Sequence, residues 1–259
     1  MNSKVYFIGV GPGDPELITV KALKALKQAD VVIYAGSLIN PEILKYAKKD
    51  AKIYDSAKMD REEIIRVMVE EVKRGKIVAR LHPGDPHIYG ALKEQQDALK
   101  KEGVSYTVIP GVSSFLAAAA ALDTELTLPG VSQTIIITRA SYRATPVPDS
   151  ENFESLARHK ATLVIFTGIQ LIERIVDELL KGGYPPETPV GVVYKASWPE
   201  QIVLKGTLQN IVKMVKDARI YRTALIIVGE VVEPKRYELS KLYDPRFTHS
   251  YRKARKVEE

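Results

Sequence analysis

Residues 4–10, Lys-Val-Tyr-Phe-Ile-Gly-Val, form a short and nearly unbroken apolar run cut off by a glycine turn, the pattern of a strand buried in a parallel sheet. Thr19 is then placed to cap a helix in which Val20, Leu23 and Leu26 share one stripe, ending near Ala29. Asp30 leads into a second strand, Val31-Val32-Ile33-Tyr34. Asp60 and Glu63 have the spacing of a capping box, and Ile64, Val67, Met68 and Val72 continue at helical period until Gly75. Residues 77–81 predict the next strand, about 91–101 a helix stopped near Gly103, and 106–109 another strand. Strands alternating with helices across short links specify a mostly parallel α/β sheet.

After an alanine-rich helix over residues 114–122 and the punctuation Leu128-Pro129-Gly130, the pattern restarts. Residues 134–138 and 163–166 predict strands on either side of a long polar segment, 139–152, and a helix then runs to about Lys181 before Gly182-Gly183. Residues 190–194 and 201–205 flank Trp198-Pro199-Glu200 like the arms of a β-hairpin. Thr207 is placed to cap a helix reaching about Asp217, and residues 224–228 predict the last strand. The expected fold class is α/β: two α/β domains with mainly parallel sheets and an active-site cleft between them, because ligands bind at strand ends and domain junctions. The expected divisions are residues 1–117 for the N-terminal domain, 118–233 for the second, and 234–259 for a basic C-terminal extension.

The net charge of +6 over 259 residues changes this picture less than it first implies. From residue 235 to 259 there are eight basic residues against four acidic, which leaves +2 for the first 234. The body is nearly neutral and the excess belongs to the extension, read as a solvated tail; nucleic acid is not the expected partner. There is no cysteine, which excludes disulfides, thiolate metal sites and a cysteine nucleophile. Four scattered histidines, His82, His87, His159 and His249, give no convincing metal cluster, so no metal site is expected. No run approaches the roughly 18 apolar residues of a membrane span and no signal-peptide pattern opens the chain, so a soluble cytoplasmic protein is expected.

Candidate chemistry collects in three strand-to-helix turns. The first, Gly9-Val10-Gly11-Pro12-Gly13-Asp14-Pro15, fails the dinucleotide pattern because Asp14 occupies the final glycine position, where its charge would repel a pyrophosphate. What remains is a backbone that can approach a ligand closely at Gly9 and Gly11. The second, Pro83-Gly84-Asp85-Pro86-His87-Ile88-Tyr89-Gly90, is locked by two prolines and offers Asp85 as an acceptor for a hydroxyl or amine, or as a helix cap. The third, Pro110-Gly111-Val112-Ser113-Ser114, puts hydroxyls at a helix start, either as caps or as ligand partners.

These three turns, in this order and spacing, resemble the tetrapyrrole methylases, enzymes that use S-adenosylmethionine and have two α/β domains. The resemblance covers residues 4–232. Within the family, Tyr34-Ala35-Gly36-Ser37-Leu38-Ile39-Asn40-Pro41, Thr138-Arg139-Ala140-Ser141, Thr145-Pro146-Val147-Pro148 and the tail from Leu242 to Arg252 are similar to members that methylate C-11 of precorrin-4 in corrin (vitamin B12) biosynthesis. The resemblance implies that Pro12, Gly84, Asp85, Ile88, Tyr89, Ser113 and Ser114 hold S-adenosylmethionine from the first domain. Phe166, Thr167, Ala196, Thr223 and Ala224 match the positions that hold it from the second.

The implied reaction is methyl transfer to C-11 of precorrin-4 or cobalt-precorrin-4, releasing S-adenosylhomocysteine. Attack by a neutral enamine carbon on a methyl sulfonium disperses charge, so alignment in a dry cleft accelerates it and no general base is assigned. The substrate is a polycarboxylate tetrapyrrole, for which Arg139, Arg143 and Lys195 are the candidate cations, Arg139 foremost because a guanidinium pairs carboxylates bidentately. A homodimer is the expected assembly. The alternatives are a corrin methylase acting at another ring position and a ribosomal RNA methylase of the same fold; a nicotinamide oxidoreductase is disfavoured by Asp14.

Overall fold

Val5, Phe7 and Ile8 are fully buried in β1 (Val5–Gly9), the first strand of a sheet covered on both faces. In the computed structural model, which describes residues 4–140 and 146–255, the chain divides into two units, the first comprising residues 1–121 and Tyr194–Ile202. Its elements after β1 are α1 (Val20–Gln28), β2 (Val31–Tyr34), β3 (Lys52–Asp55), α2 (Arg61–Lys73), β4 (Val78–His82), α3 (Leu92–Lys101), β5 (Tyr106–Ile109) and α4 (Ser114–Ala121). The strands lie in the order β3-β2-β4-β1-β5 and every pair is parallel. One face packs Ile8, Val32, Ala79 and Leu81 against α1. The other packs Val5, Phe7, Ile33 and Val78 against Met68, Val69 and Val72 of α2 and Leu99 of α3.

The capping signals of α1 and α2 operate as the sequence predicts. Thr19 accepts a hydrogen bond from the Ala22 amide, and Asp60 and Glu63 form a complete capping box. Gly75 takes the left-handed conformation just past α2 (φ +80°). The predicted stripe of α1 is corrected: Val20 is 67% exposed, and the buried residues are Ala22, Ala25 and Leu26. The alanines are the smaller side chains, so they bring the helix close to the sheet, while Val20 stands at its first position beyond that contact. Strand β3 has no counterpart in the sequence reading, because an edge strand of four residues between charged positions carries too little apolar pattern.

The second unit comprises residues 122–193 and 203–259. It contains β6 (Ile135–Arg139), α5 (Phe153–Ala157), β7 (Thr162–Phe166), α6 (Ile172–Lys181), β8 (Pro189–Tyr194), β9 (Ile202–Thr207), α7 (Ile211–Asp217) and β10 (Ala224–Val228), with sheet order β6-β7-β10-β8-β9. Strands β6 and β7 are parallel but β7 and β10 are antiparallel, so the expectation of mainly parallel sheets holds for the first unit and this sheet is mixed. The β8–β9 hairpin reverses the chain once, and a later strand therefore runs against β7. Thr207 does not cap α7: it ends β9, and its amide donates to Asn210 Oδ1 (2.8 Å) one position before the helix.

The division after Ala121 leaves α4 whole, whereas a boundary at 117/118 would cut it. The loop between β8 and β9 belongs to the first unit, and the extension from residue 234 to the second. Leu239 and Tyr251 in that extension are exposed, while the Glu238 amide donates to the Pro129 carbonyl (2.9 Å). No helix among the described residues is long and apolar enough to cross a membrane.

Candidate active site

The strand order places β1 between β4 and β5, so all three glycine turns leave adjacent strands at the same end of the sheet. Register keeps them level, with Gly9 opposite His82 and Ile8 opposite Ile109. The turns touch through their backbones. Gly11 and Gly84 exchange two hydrogen bonds (3.3 and 2.8 Å). A β-carbon on Gly9 would come within 2.6 Å of the Gly111 nitrogen, and one on Gly111 would overlap the Gly84 carbonyl oxygen. These glycines are therefore required for the turns to pack on one another as well as for any approach to a ligand.

Asp85 ties the second turn to the third. Its Oδ2 accepts from the Gly111 amide (2.8 Å), while Oδ1 accepts from the His87 amide (2.8 Å) and pairs with His87 Nδ1 (2.7 Å). Desolvation pushes its pKa upward, but the hydrogen bonds from His87 and Gly111 outweigh it, and the carboxyl lies below its ordinary value. Asp85 is thus an anion at neutral pH. Its neighbours on β4 are a buried guanidinium and a buried imidazole. Arg80 is held by Gln95 Oε1 (3.2 Å) and Ser56 Oγ (3.1 Å), and burial lowers its pKa to about 10. His82 is pushed down to about 3 by burial and then by the Arg80 charge, and its Nε2 has no hydrogen-bond partner among the described residues.

Ser113 and Ser114 start α4, and neither hydroxyl caps it: no hydrogen bond from either side chain occurs among the described residues, although Ser113 is only 6% exposed. Ile88 and Tyr89 follow Asp85 in the same loop, with Tyr89 in the left-handed region (φ +53°). Asp14, the residue that breaks the dinucleotide pattern, caps a single 3-10 turn by accepting from the Glu16 amide (2.8 Å). Pro12 stands on that turn, and its carbonyl accepts from the Trp198 indole (3.0 Å). Trp198 shares the loop 194–202 with Lys195 and Ala196, so Ala196 joins the turn cluster of the first unit. Lys195 has partners already: the Glu200 carboxylate at 3.4 Å, the Trp198 ring at 4.7 Å and the Tyr194 ring at 5.7 Å.

The remaining candidates lie together at one end of the second unit's sheet. Arg139 is the parallel partner of Phe166, at the last position of both β6 and β7. Ile226 pairs antiparallel with Ile165, so the start of β10 at Ala224 lies at the end of β7 that Phe166 closes. Thr167 and Thr223 are both left-handed (φ +50° and +52°). Arg139 also lines a depression of about 490 Å³ with Phe153, Arg174 and Glu178. Arg143 lies outside the described residues.

Among the described residues nine non-glycine residues have positive φ, and five of them coincide with or adjoin the candidate positions: Tyr89, Thr167, Lys195, Ser197 and Thr223. For β-branched threonine this conformation is a genuine outlier, and such strain concentrates where backbone shape serves a ligand. Sequence reasoning missed Asn40, Ser197 and the indole of Trp198 as supports of the first turn; the only signal was that Trp198 is the single tryptophan. Among the described residues no group of three or more His, Cys, Asp or Glu side chains could hold a metal ion.

Comparison with known proteins supplies the context. The chain is 57% identical over 255 residues to a cobalt-precorrin-4 C(11)-methyltransferase of Methanocaldococcus jannaschii, covering 98% of each chain. It is 44% identical to an enzyme of the same name from Priestia megaterium, over 98% of this chain and all of the other. Among solved structures, a cobalt precorrin-4 methyltransferase superposes with a TM-score of 0.86 at 44% identity, covering 89% of this chain and 96% of that one. A uroporphyrin-III C-methyl transferase from Thermus thermophilus, complexed with S-adenosyl homocysteine, gives 0.75 at 32% identity, covering 89% and 94%. Residues 4–212 match the model of the tetrapyrrole (corrin/porphyrin) methylases, and with these relatives over nearly its whole length the chain belongs to that family.

Proposed function

We propose that the protein transfers a methyl group from S-adenosylmethionine to C-11 of precorrin-4 or its cobalt complex. The observation that carries this reading is the convergence of three glycine turns, from adjacent parallel strands, around Asp85 and the nearly buried Ser113, whose hydroxyl makes no hydrogen bond among the described residues. That cluster fits the cofactor: backbone groups for its polar atoms, an anion for its positive charge, and hydroxyls free to hydrogen bond. When bound, S-adenosylmethionine supplies an electrophilic methyl on a sulfonium. Pro12, Gly84, Asp85, Ile88, Tyr89, Ser113, Ser114 and Ala196 hold it from the first unit, and Phe166, Thr167, Thr223 and Ala224 from the second. Asp85, already fixed by the Gly111 and His87 amides, keeps its charge without reorganising.

The chain's part in the chemistry is to orient, to exclude water and to neutralise the substrate's carboxylates. Arg139 is the first choice for the last task, with Arg143 beside it in sequence; Lys195 is committed to Glu200 and Trp198. The reading includes a homodimer acting in the cytoplasm, checked by light scattering, where a monomer mass overturns the dimer. The deciding experiment incubates the protein with methyl-labelled S-adenosylmethionine and either precorrin-4 or cobalt-precorrin-4, followed by NMR of the product. Label at C-11 is expected; label at another ring carbon, or no transfer to either precorrin, overturns the assignment. The relative rates with the two substrates decide whether cobalt is already present.

A further inference from the structure

The first glycine turn is held at three successive residues by side chains distant in sequence. The Pro12 carbonyl accepts from Trp198 Nε1 (3.0 Å), the Gly13 carbonyl from Asn40 Nδ2 (3.0 Å), and the Asp14 amide donates to Ser197 Oγ (2.9 Å). Two of the three holders are neighbours on the loop 194–202. Gly13 is the surface against which the indole lies, since a β-carbon there would fall inside the Trp198 ring. The ring system also carries a cation, with Lys195 Nζ 4.7 Å from its centroid.

The loop is under strain. Lys195 (φ +46°) and Ser197 (φ +68°) are both left-handed, and they flank Ala196, which is buried. A non-glycine residue in that region is unfavourable by about 1–3 kcal/mol and persists only where the surroundings over-determine it. Here they do: the Ser197 amide donates to Gln201 Oε1 (2.7 Å), the Trp198 amide to the Lys195 carbonyl (2.9 Å), and the two side chains grip the turn. The result is a fixed spacing between Ala196 and the Pro12 turn.

We propose that Trp198 and Ser197 are positioning residues for S-adenosylmethionine: they clasp the Pro12–Asp14 turn and Ala196 into one preformed surface before the cofactor arrives. The inference rests on the cofactor reading above. Preorganisation of this kind acts on affinity, because the ordering is complete before binding.

The test is calorimetric titration of the full chain with S-adenosylhomocysteine, beside steady-state kinetics. Trp198→Phe keeps the ring but loses the donor to Pro12, and its dissociation constant is expected to rise about tenfold while kcat at saturating S-adenosylmethionine stays within about threefold. Trp198→His retains a ring N–H and should recover part of the loss. Ser197→Ala is the milder variant, with a rise of about threefold, and it decides the matter if the tryptophan variants fail to fold. Wild-type affinity in both Trp198→Phe and Ser197→Ala, or a fall in kcat at unchanged KM, overturns the clasp. Failure of the wild-type protein to bind S-adenosylhomocysteine overturns the cofactor reading instead.

Discussion

In the first unit the candidate residues stand on glycine turns whose backbones touch; in the second they stand at strand ends where threonines occupy backbone conformations that glycine favours. Gly9 and Gly111 pack so closely on each other and on the Gly84 carbonyl that a methyl group on either has no room, and Asp85 and Asn40 bolt the assembly through main-chain amides and carbonyls. Thr167 and Thr223 show the reverse arrangement: left-handed, β-branched, and with no side-chain hydrogen bond among the described residues. The glycine turns achieve their shape by removing side chains, the threonine strand ends by tolerating strain. The first should therefore fail when anything is added, and the second should gain stability when something is removed.

The largest effect is expected at Gly111. In Gly111→Ala the new methyl meets the Gly84 carbonyl and the Gly9 main chain, all backbone, so neither neighbour can rotate away. Unfolding free energy in urea should fall by about 3 kcal/mol and S-adenosylhomocysteine binding should be lost. A near-normal denaturation midpoint would show that the turns are not mutually packed. Asp85→Asn comes next, because an amide cannot accept from both the Gly111 and His87 amides on its two oxygens. A loss of about 2 kcal/mol at neutral pH is expected from the same denaturation measurement. Since the Asp85 pKa is depressed in the folded protein, this contribution is present above the unfolded value and disappears as pH falls through the folded one.

His82 separates the two regions by pH. Its pKa is pushed down to about 3, so below the unfolded value of roughly 6.5 the unfolded chain binds a proton that the folded chain does not. Stability should decline as pH drops, by about 2 kcal/mol between pH 6.5 and 5. His159, in the second unit, is exposed. Hydrogen exchange followed across that range, corrected for intrinsic rates, should show protection lost first in β1, β4 and β5. His82→Leu should flatten the acid slope; the same slope in the variant removes His82 as its source.

Much of the first unit was legible in the sequence because its signals are local. Thr19, the Asp60–Glu63 box, Gly75 and the three glycine turns each state a backbone requirement within a few residues. What the turns require of one another was not legible, since Gly9 meets Gly111 only after β1 and β5 have paired. The supports of Pro12 were hidden for the same reason: Trp198 is 186 residues away along the chain. In the second unit the strands were readable from apolar runs, but the direction of β10 depended on a hairpin reversal that periodicity does not record. Nothing in a threonine's side chain announces that its backbone will be left-handed.

That silence makes Thr167 and Thr223 the finest test of the comparison. A non-glycine residue in the left-handed region is disfavoured by about 1–2 kcal/mol, whereas glycine adopts it freely and loses roughly 0.5–1 kcal/mol through its more flexible unfolded chain. Thr167→Gly is exposed and has no side-chain partner to lose, so the two effects should leave the variant more stable by about 0.5 kcal/mol. If the strained backbone serves only folding, cofactor affinity should then be unchanged or improved. If it serves binding, Thr167→Gly should melt later yet bind S-adenosylhomocysteine more weakly, because relaxed strand ends must be ordered again when the ligand arrives. The expected outcome is the second, read from paired melting and titration curves. A variant that gains stability and keeps full affinity would place Thr167 outside the binding surface and leave the turn cluster as the part that recognises the cofactor.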